Sequence, residues 1–180
     1  MEQTATLERL FERCKQGERR AQEQLYHHFA SKMLGVCMRY AKSTFEAEDM
    51  LQAGFVKVFS AMQGFRGEGS LEGWIRRIIV NTAISTYRNN VRLNTEPWQE
   101  THDTAHAYEL QHLECEDLLR LVRALPDGYR IVFNLYAIEG YSHKEISEKL
   151  QISEGASKSQ LSRARKWLQD KMLKVEGGNV

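Results

Sequence analysis

The stretch SHKEISEKLQISEGASKSQLSRARKWLQDKMLKV, residues 142–175, decides the fold of the second half of the chain. Ser142 with Glu145 three positions on is the spacing of a capping box, and it predicts a short helix over 142–150 with Ile146 and Leu150 on one face. Gln151 and Ile152 then turn the chain, and Ser153 is a natural N-cap for a second helix over 153–174. Two helices joined by so short a turn form a helix-turn-helix unit.

The second of these helices has two unlike faces at about 100° per residue. Leu161, Ala164, Leu168, Met172 and Val175 gather on a side that can be buried. Lys158, Ser159, Ser162, Arg163 and Lys166 lie largely opposite, and Gly155 and Ala156 at its start let backbone amides approach a phosphate. Phosphates need cations, and base edges need small hydrogen-bonding groups that can come close. This face therefore suits DNA, although a solvated basic face would carry the same residues.

Upstream, helical periodicity covers 114–125 and 128–139, whereas 94–113 holds Pro97 and mostly polar residues and reads as a linker. The net charge of +1 hides an uneven distribution. Residues 1–95 carry 14 Lys and Arg against 10 Asp and Glu, a balance of +4. Residues 96–117 carry 7 acids and no Lys or Arg, a balance of −7, and residues 118–180 carry 11 basic against 7 acidic residues, again +4. Two basic modules flank an acidic connector, which points to two polyanion-binding surfaces.

The first half predicts helices at 6–16, 18–41, 45–62 and 70–92. Ser43 and Glu46 have capping-box spacing ahead of a helix carrying Phe45, Leu51, Phe55, Val58, Phe59 and Met62, mostly as core. The loop QGFRGEGS, residues 63–70, holds Phe65 and Arg66, either of which can stack on a base. In the helix after it, Leu71, Ile75, Ile78, Ile79 and Ala83 share an apolar face. Arg77, Asn81, Ser85, Arg88 and Arg92 form a polar stripe suited to a nucleic-acid backbone, with Trp74 nearer the stripe than the core.

No apolar run reaches 18 residues, so no membrane insertion is expected, and the N-terminus lacks the continuous apolar core of a secretory signal. Cys14, Cys37 and Cys115, odd in number and widely spaced, fit reduced thiols in a cytoplasmic protein. His102, His106, His112 and Cys115 could in principle ligate a metal, but such spacing arises easily by chance and the first three fall in the linker. No nucleophile–base constellation and no phosphate-cradling glycine motif is evident, so neither an enzyme nor a cofactor is expected.

Two of these segments resemble one family. AEDMLQAGFVKVFSAMQGFRGEGSLEGWIRRIIVNTAISTYR is similar to region 2 of the extracytoplasmic-function (ECF) sigma factors of bacteria, and LPDGYRIVFNLYAIEGYSHKEISEKLQISEGASKSQLSRARKWL is similar to their region 4. The resemblance implies an all-α fold of two small helical domains joined by an acidic linker: region 2 over 1–95, the linker over 96–113 and region 4 over 114–180. It implies polymerase docking, on the clamp helices of the largest subunit, through Asp49, Gln52, Phe55 and Lys57, with the flap as a further partner. Phe65, Arg66, Gly67, Glu68, Gly69 and Ser70 match the loop that captures a base flipped from the −10 element, Asn81 and Thr82 match positions that contact the same element, and Trp74 matches an aromatic near the point of strand separation; the polar stripe adds Arg77 and Arg88 to this −10 surface. Lys158, Ser159, Ser162 and Arg163 match the recognition-helix positions that enter the −35 major groove, to which the reading of the helix faces adds Lys166 and, at the helix start, Gly155 and Ala156.

The partners so implied are core RNA polymerase, promoter DNA and an anti-sigma factor of the kind such proteins often have. The chain departs from the family at Gln151, where Gly is usual, at Ser147 and Ser157, where Ala and a β-branched apolar residue are common, and at Gln160, where Arg is frequent. Ser157 falls on the buried face, which predicts weaker packing or a compensating backbone bond. Without the resemblance, residues 142–174 fit equally a regulator that binds an operator alone, which leaves Asp49–Lys57 and Phe65–Ser70 without a task.

Overall fold

The computed structural model describes residues 2–93 and 115–176, and every regular element among them is helical. The chain divides into two compact units, Met1–Thr86 and Tyr87–Val180. The expected linker, with His102, His106 and His112, lies outside the described residues.

The first unit holds α1 (Glu2–Lys15), α2 (Arg19–Met38), α3 (Thr44–Ala61), a 3-10 turn (Met62–Gly64) and the start of α4 (Leu71–Leu93). Helix α2 buries Ala21, Leu25, Phe29, Met33, Val36 and Cys37, the stripe that faces α1 and α3. Ser43 Oγ accepts the Glu46 amide at 3.1 Å, but the Glu46 carboxylate accepts the Lys42 amide at 2.6 Å, so the box closes one residue early. Where α3 meets α4, Gly54 is needed for the close approach, because a Cβ there would stand 2.3 Å from Ile79 Cδ1. Ile75, Ile79 and Ala83 are buried as expected, joined by Val80, Thr82 and Ile84, while Leu71 and Ile78 are only half-buried. Burial pushes the Cys37 thiol up to about 11 and raises that of Cys14, which keeps both protonated at neutral pH.

The second unit holds α5 (Cys115–Ala124), α6 (Asp127–Phe133), a π-helical turn (Asn134–Ile138), α7 (His143–Leu150) and α8 (Glu154–Glu176). Leu121, Val122 and Leu125 pack on Ala164 and Leu168 of α8, with Tyr129, Phe133, Trp167 and Met172 around them. The single helix expected over 128–139 is thus an α-helix that widens for its last turn. Asn134, fully buried at the junction, donates from Nδ2 to the Arg130 carbonyl at 2.9 Å. Arg130 itself is buried, and its guanidinium donates to the carbonyls of Arg123 and Leu125 and to Asp127 Oδ1. It closes the C-terminal end of α5, whose last carbonyls have no partner within the helix.

Candidate nucleic-acid interfaces

In the second unit, the sequence dictates the geometry of the helix pair almost residue by residue. Ser142 Oγ accepts the Glu145 amide at 3.3 Å, and the Glu145 carboxylate accepts the Ser142 amide at 2.8 Å, completing the capping box. The Ser142 amide first, and then the Ser142 hydroxyl, which donates to the same carboxylate at 2.8 Å, hold the Glu145 carboxyl below the usual carboxylate range. Ile146 and Leu150 are buried. Gln151 ends α7 in the left-handed region, with φ 58° and ψ 45°, and Ser147 O accepts the amide of Ile152 at 3.1 Å.

A side chain in that conformation is strained by about 1–2 kcal/mol relative to glycine. Gln151→Gly should therefore raise the stability of the second unit by about 1 kcal/mol, read as a higher denaturation midpoint. An unchanged or lower midpoint would show that the Gln151 side chain contributes something glycine cannot replace.

Ser153 Oγ accepts the Ala156 amide at 3.0 Å, confirming the expected N-cap of α8. That bond has a consequence for DNA. Of the two amides expected near a phosphate, the one on Ala156 is already engaged, and Glu154 places a carboxylate on the same turn. The Ala156 amide is thus not open to the phosphate expected near it.

Lys158, Ser159, Ser162, Arg163 and Lys166 are all exposed on α8, opposite buried Leu161, Ala164 and Leu168; Val175 lies outside the residues whose side chains are described. The sequence reading missed Arg165. It is exposed, lies 5.7 Å over the Tyr136 ring, and Tyr136 stacks on His143 at 4.6 Å. An open depression of about 550 Å³ lies here, lined by His143, Lys158, Leu161, Ser162, Arg165, Lys166, Gln169 and Asp170. Counting three residues on from Ser162, or seven from Lys158, along the helix could have found Arg165; its aromatic support, from another element, could not be counted. Ser157 is fully buried, and the compensation is a side-chain bond, Ser157 Oγ to His143 Nδ1 at 2.9 Å, rather than the backbone bond expected.

Along α4, Arg77, Asn81 and Ser85 of the first unit are exposed, while beyond Thr86, where the second unit begins, Arg88 is half-buried and Arg92 exposed. Thr82 departs from the expectation. It is 2 % exposed and its hydroxyl donates to the Ile78 carbonyl at 2.9 Å, so it packs in the core and offers DNA no hydrogen bond from this position. Arg66, Gly67, Glu68, Gly69 and Ser70 form an exposed loop, with Gly67 and Gly69 at φ 75° and 92°. Phe65 and Trp74 are half-buried and their rings lie 5.1 Å apart.

On α3, Asp49, Gln52 and Lys57 are exposed, but Phe55 is 2 % exposed and packs on Tyr26 at 4.8 Å. Buried there, Phe55 cannot meet a partner. The apolar surface of this face comes instead from Phe45, 73 % exposed, and Val56, 65 % exposed. Phe45, Asp49, Gln52 and Val56 follow one another at helical spacing and share one stripe.

Among the described residues no group of His, Cys, Asp and Glu could hold a metal ion, and no helix is long and apolar enough to cross a membrane.

Residues 25–93 match the family described as Sigma-70 region 2, and residues 115–168 match Sigma-70, region 4. The RNA polymerase sigma-H factor of Pseudomonas aeruginosa is 29 % identical over 92 % of this chain and 93 % of that protein. The ECF RNA polymerase sigma-E factor of Haemophilus influenzae is 28 % identical over 96 % of this chain and 98 % of that protein. Among solved structures, the sigma factor RpoE from Bartonella quintana, in complex with the anti-sigma factor NepR, is similar in fold, with a TM-score of 0.51, 20 % identity and coverage of 83 % of this chain and 95 % of that one. With region 2 and region 4 in succession and full-length relatives of this name, the chain belongs to the sigma-70 family, among the ECF sigma factors.

Proposed function

We propose that this protein is an alternative sigma factor that binds core RNA polymerase and directs promoter-specific transcription initiation by recognising −10 and −35 elements. The observation that carries the reading is the presence of both regions in one chain, each with a cation-bearing helix surface. Region 4 holds the −35 duplex through Lys158, Arg163, Lys166 and Arg165, with Ser159 and Ser162 small enough to admit base edges. Region 2 captures unstacked −10 bases between the Phe65–Ser70 loop and the α4 stripe of Trp74, Arg77 and Asn81. The α3 face with Asp49, Gln52, Lys57, Phe45 and Val56 docks on the polymerase. Domain limits of 1–95, 96–113 and 114–180 fit this division of labour, with the acidic linker suited to a basic channel. The protein works by binding, with no chemical step of its own, in the cytoplasm where the polymerase is, and an anti-sigma factor is its natural regulator.

Reconstitution with core polymerase and mapping of transcription start sites tests the reading. Association followed by defined start sites supports it; failure of either overturns it. The roles within it separate further. Lys158→Ala with Arg163→Ala should weaken promoter binding about tenfold or more and reduce the salt dependence by about two ion equivalents, with polymerase affinity unchanged. Loss of polymerase binding with DNA recognition intact would reverse the assignment.

A further inference from the structure

The loop that carries the strand-capturing residues has few anchors of its own. Arg66 through Ser70 are exposed, two of these residues are glycines at positive φ, and the outer end is held by Ser70 Oγ, which accepts the Gly73 amide at 3.1 Å. The inner end is held from α1. Phe11 is 3 % exposed, and its ring meets Phe65 edge-on at 5.3 Å and Trp74 at 6.1 Å. One turn further along the same helix face, the Lys15 carbonyl accepts Gln63 Nε2 at 2.7 Å across 48 residues of sequence. Two independent contacts, both from the C-terminal half of α1, thus fix the start of the loop and the two rings beside it.

Stacking a base on a ring that is already immobile avoids the entropy of ordering that ring on binding. We infer that Phe11 is a positioning residue for capture of the −10 strand: α1 is the shelf that holds Phe65 and Trp74 in place for the unstacked base. The inference rests on the sigma-factor reading and adds to it a residue outside both DNA-facing surfaces. Edge-to-face pairs contribute beyond the area they bury, and Phe11 makes two.

The test uses full-length protein in reconstituted holoenzyme and the single-stranded non-template −10 segment of a promoter whose start site has been mapped. Phe11→Leu keeps an apolar side chain and removes the ring. It should weaken strand binding about tenfold, or about 1.4 kcal/mol, while affinity for core polymerase and for the −35 duplex stays within about twofold. Cys14→Ala, a buried change on the same helix, should leave all three affinities unchanged, which separates ring positioning from simple loosening of α1. Gln63→Ala, at an exposed position, should weaken strand binding about threefold, or about 0.65 kcal/mol, and decides the matter if Phe11→Leu does not fold. Strand affinity at the wild-type level in these variants, or an equal fall in all three affinities, overturns the role of α1 alone. A wild-type protein that fails to bind polymerase overturns it together with the functional reading.

Discussion

Replacing Arg130 by methionine should destabilise the second unit by about 3 kcal/mol, a large share of what a domain of this size has. Methionine fills most of the volume, so the loss is electrostatic and not a cavity. The guanidinium donates to the Leu125 carbonyl at 3.0 Å and the Arg123 carbonyl at 3.1 Å, and both lose their donor. A buried acceptor left without a donor costs about 1–3 kcal/mol. The third contact, to Asp127 at 2.8 Å, contributes less, because the Asp127 side chain is 39 % exposed and water replaces the arginine. Asp127→Asn should accordingly cost under about 1 kcal/mol. Urea denaturation followed by hydrogen exchange at the amides of α5 and α6 checks both. Wild-type stability in Arg130→Met would mean that the end of α5 is closed by something other than this side chain.

Arg130 also illustrates what the sequence could and could not disclose. The elements that depend on neighbours three or four residues away were legible: the Ser142–Glu145 box, the Ser153 cap, and the burial of Ile146, Leu150, Leu161, Ala164 and Leu168. Caps and periodicity are local, and the backbone alone enforces them. What failed depended on tertiary partners. Hydrophobicity placed Phe45 with the core and the family resemblance placed Thr82 against DNA, yet the structure exposes the first and buries the second, its hydroxyl satisfied by its own helix. Buried Ser157 looked like a packing fault until His143 supplied a bond from fourteen residues away. The cationic faces were readable because solvent-facing charge is the default; the aromatic supports of Arg165 and Phe65 were not, since both come from other helices.

The same contrast decides where polymerase docking should fail. Val56→Glu is expected to weaken core polymerase binding by a hundredfold or more, about 3 kcal/mol, with the helical content and thermal stability of the free protein unchanged. Val56 is 65 % exposed, so a glutamate there is solvated in the unbound protein and changes stability within about 0.5 kcal/mol. Once an apolar surface closes over the α3 stripe, the same carboxylate loses water without gaining a partner, and that penalty amounts to several kcal/mol. Phe45→Ala removes contact area without burying a charge and should cost less, about tenfold. Asp49→Ala at the polar side of the stripe should alter chiefly the association rate and its salt dependence. Phe55→Ala is the informative contrast: because Phe55 is 2 % exposed and packs on Tyr26, its loss should lower the melting temperature before it alters docking. Titration of labelled core polymerase with each variant, beside thermal melts of the free proteins, distinguishes these outcomes. Affinity within threefold of wild type in Val56→Glu would remove α3 from the interface and return the docking surface to residues elsewhere on region 2.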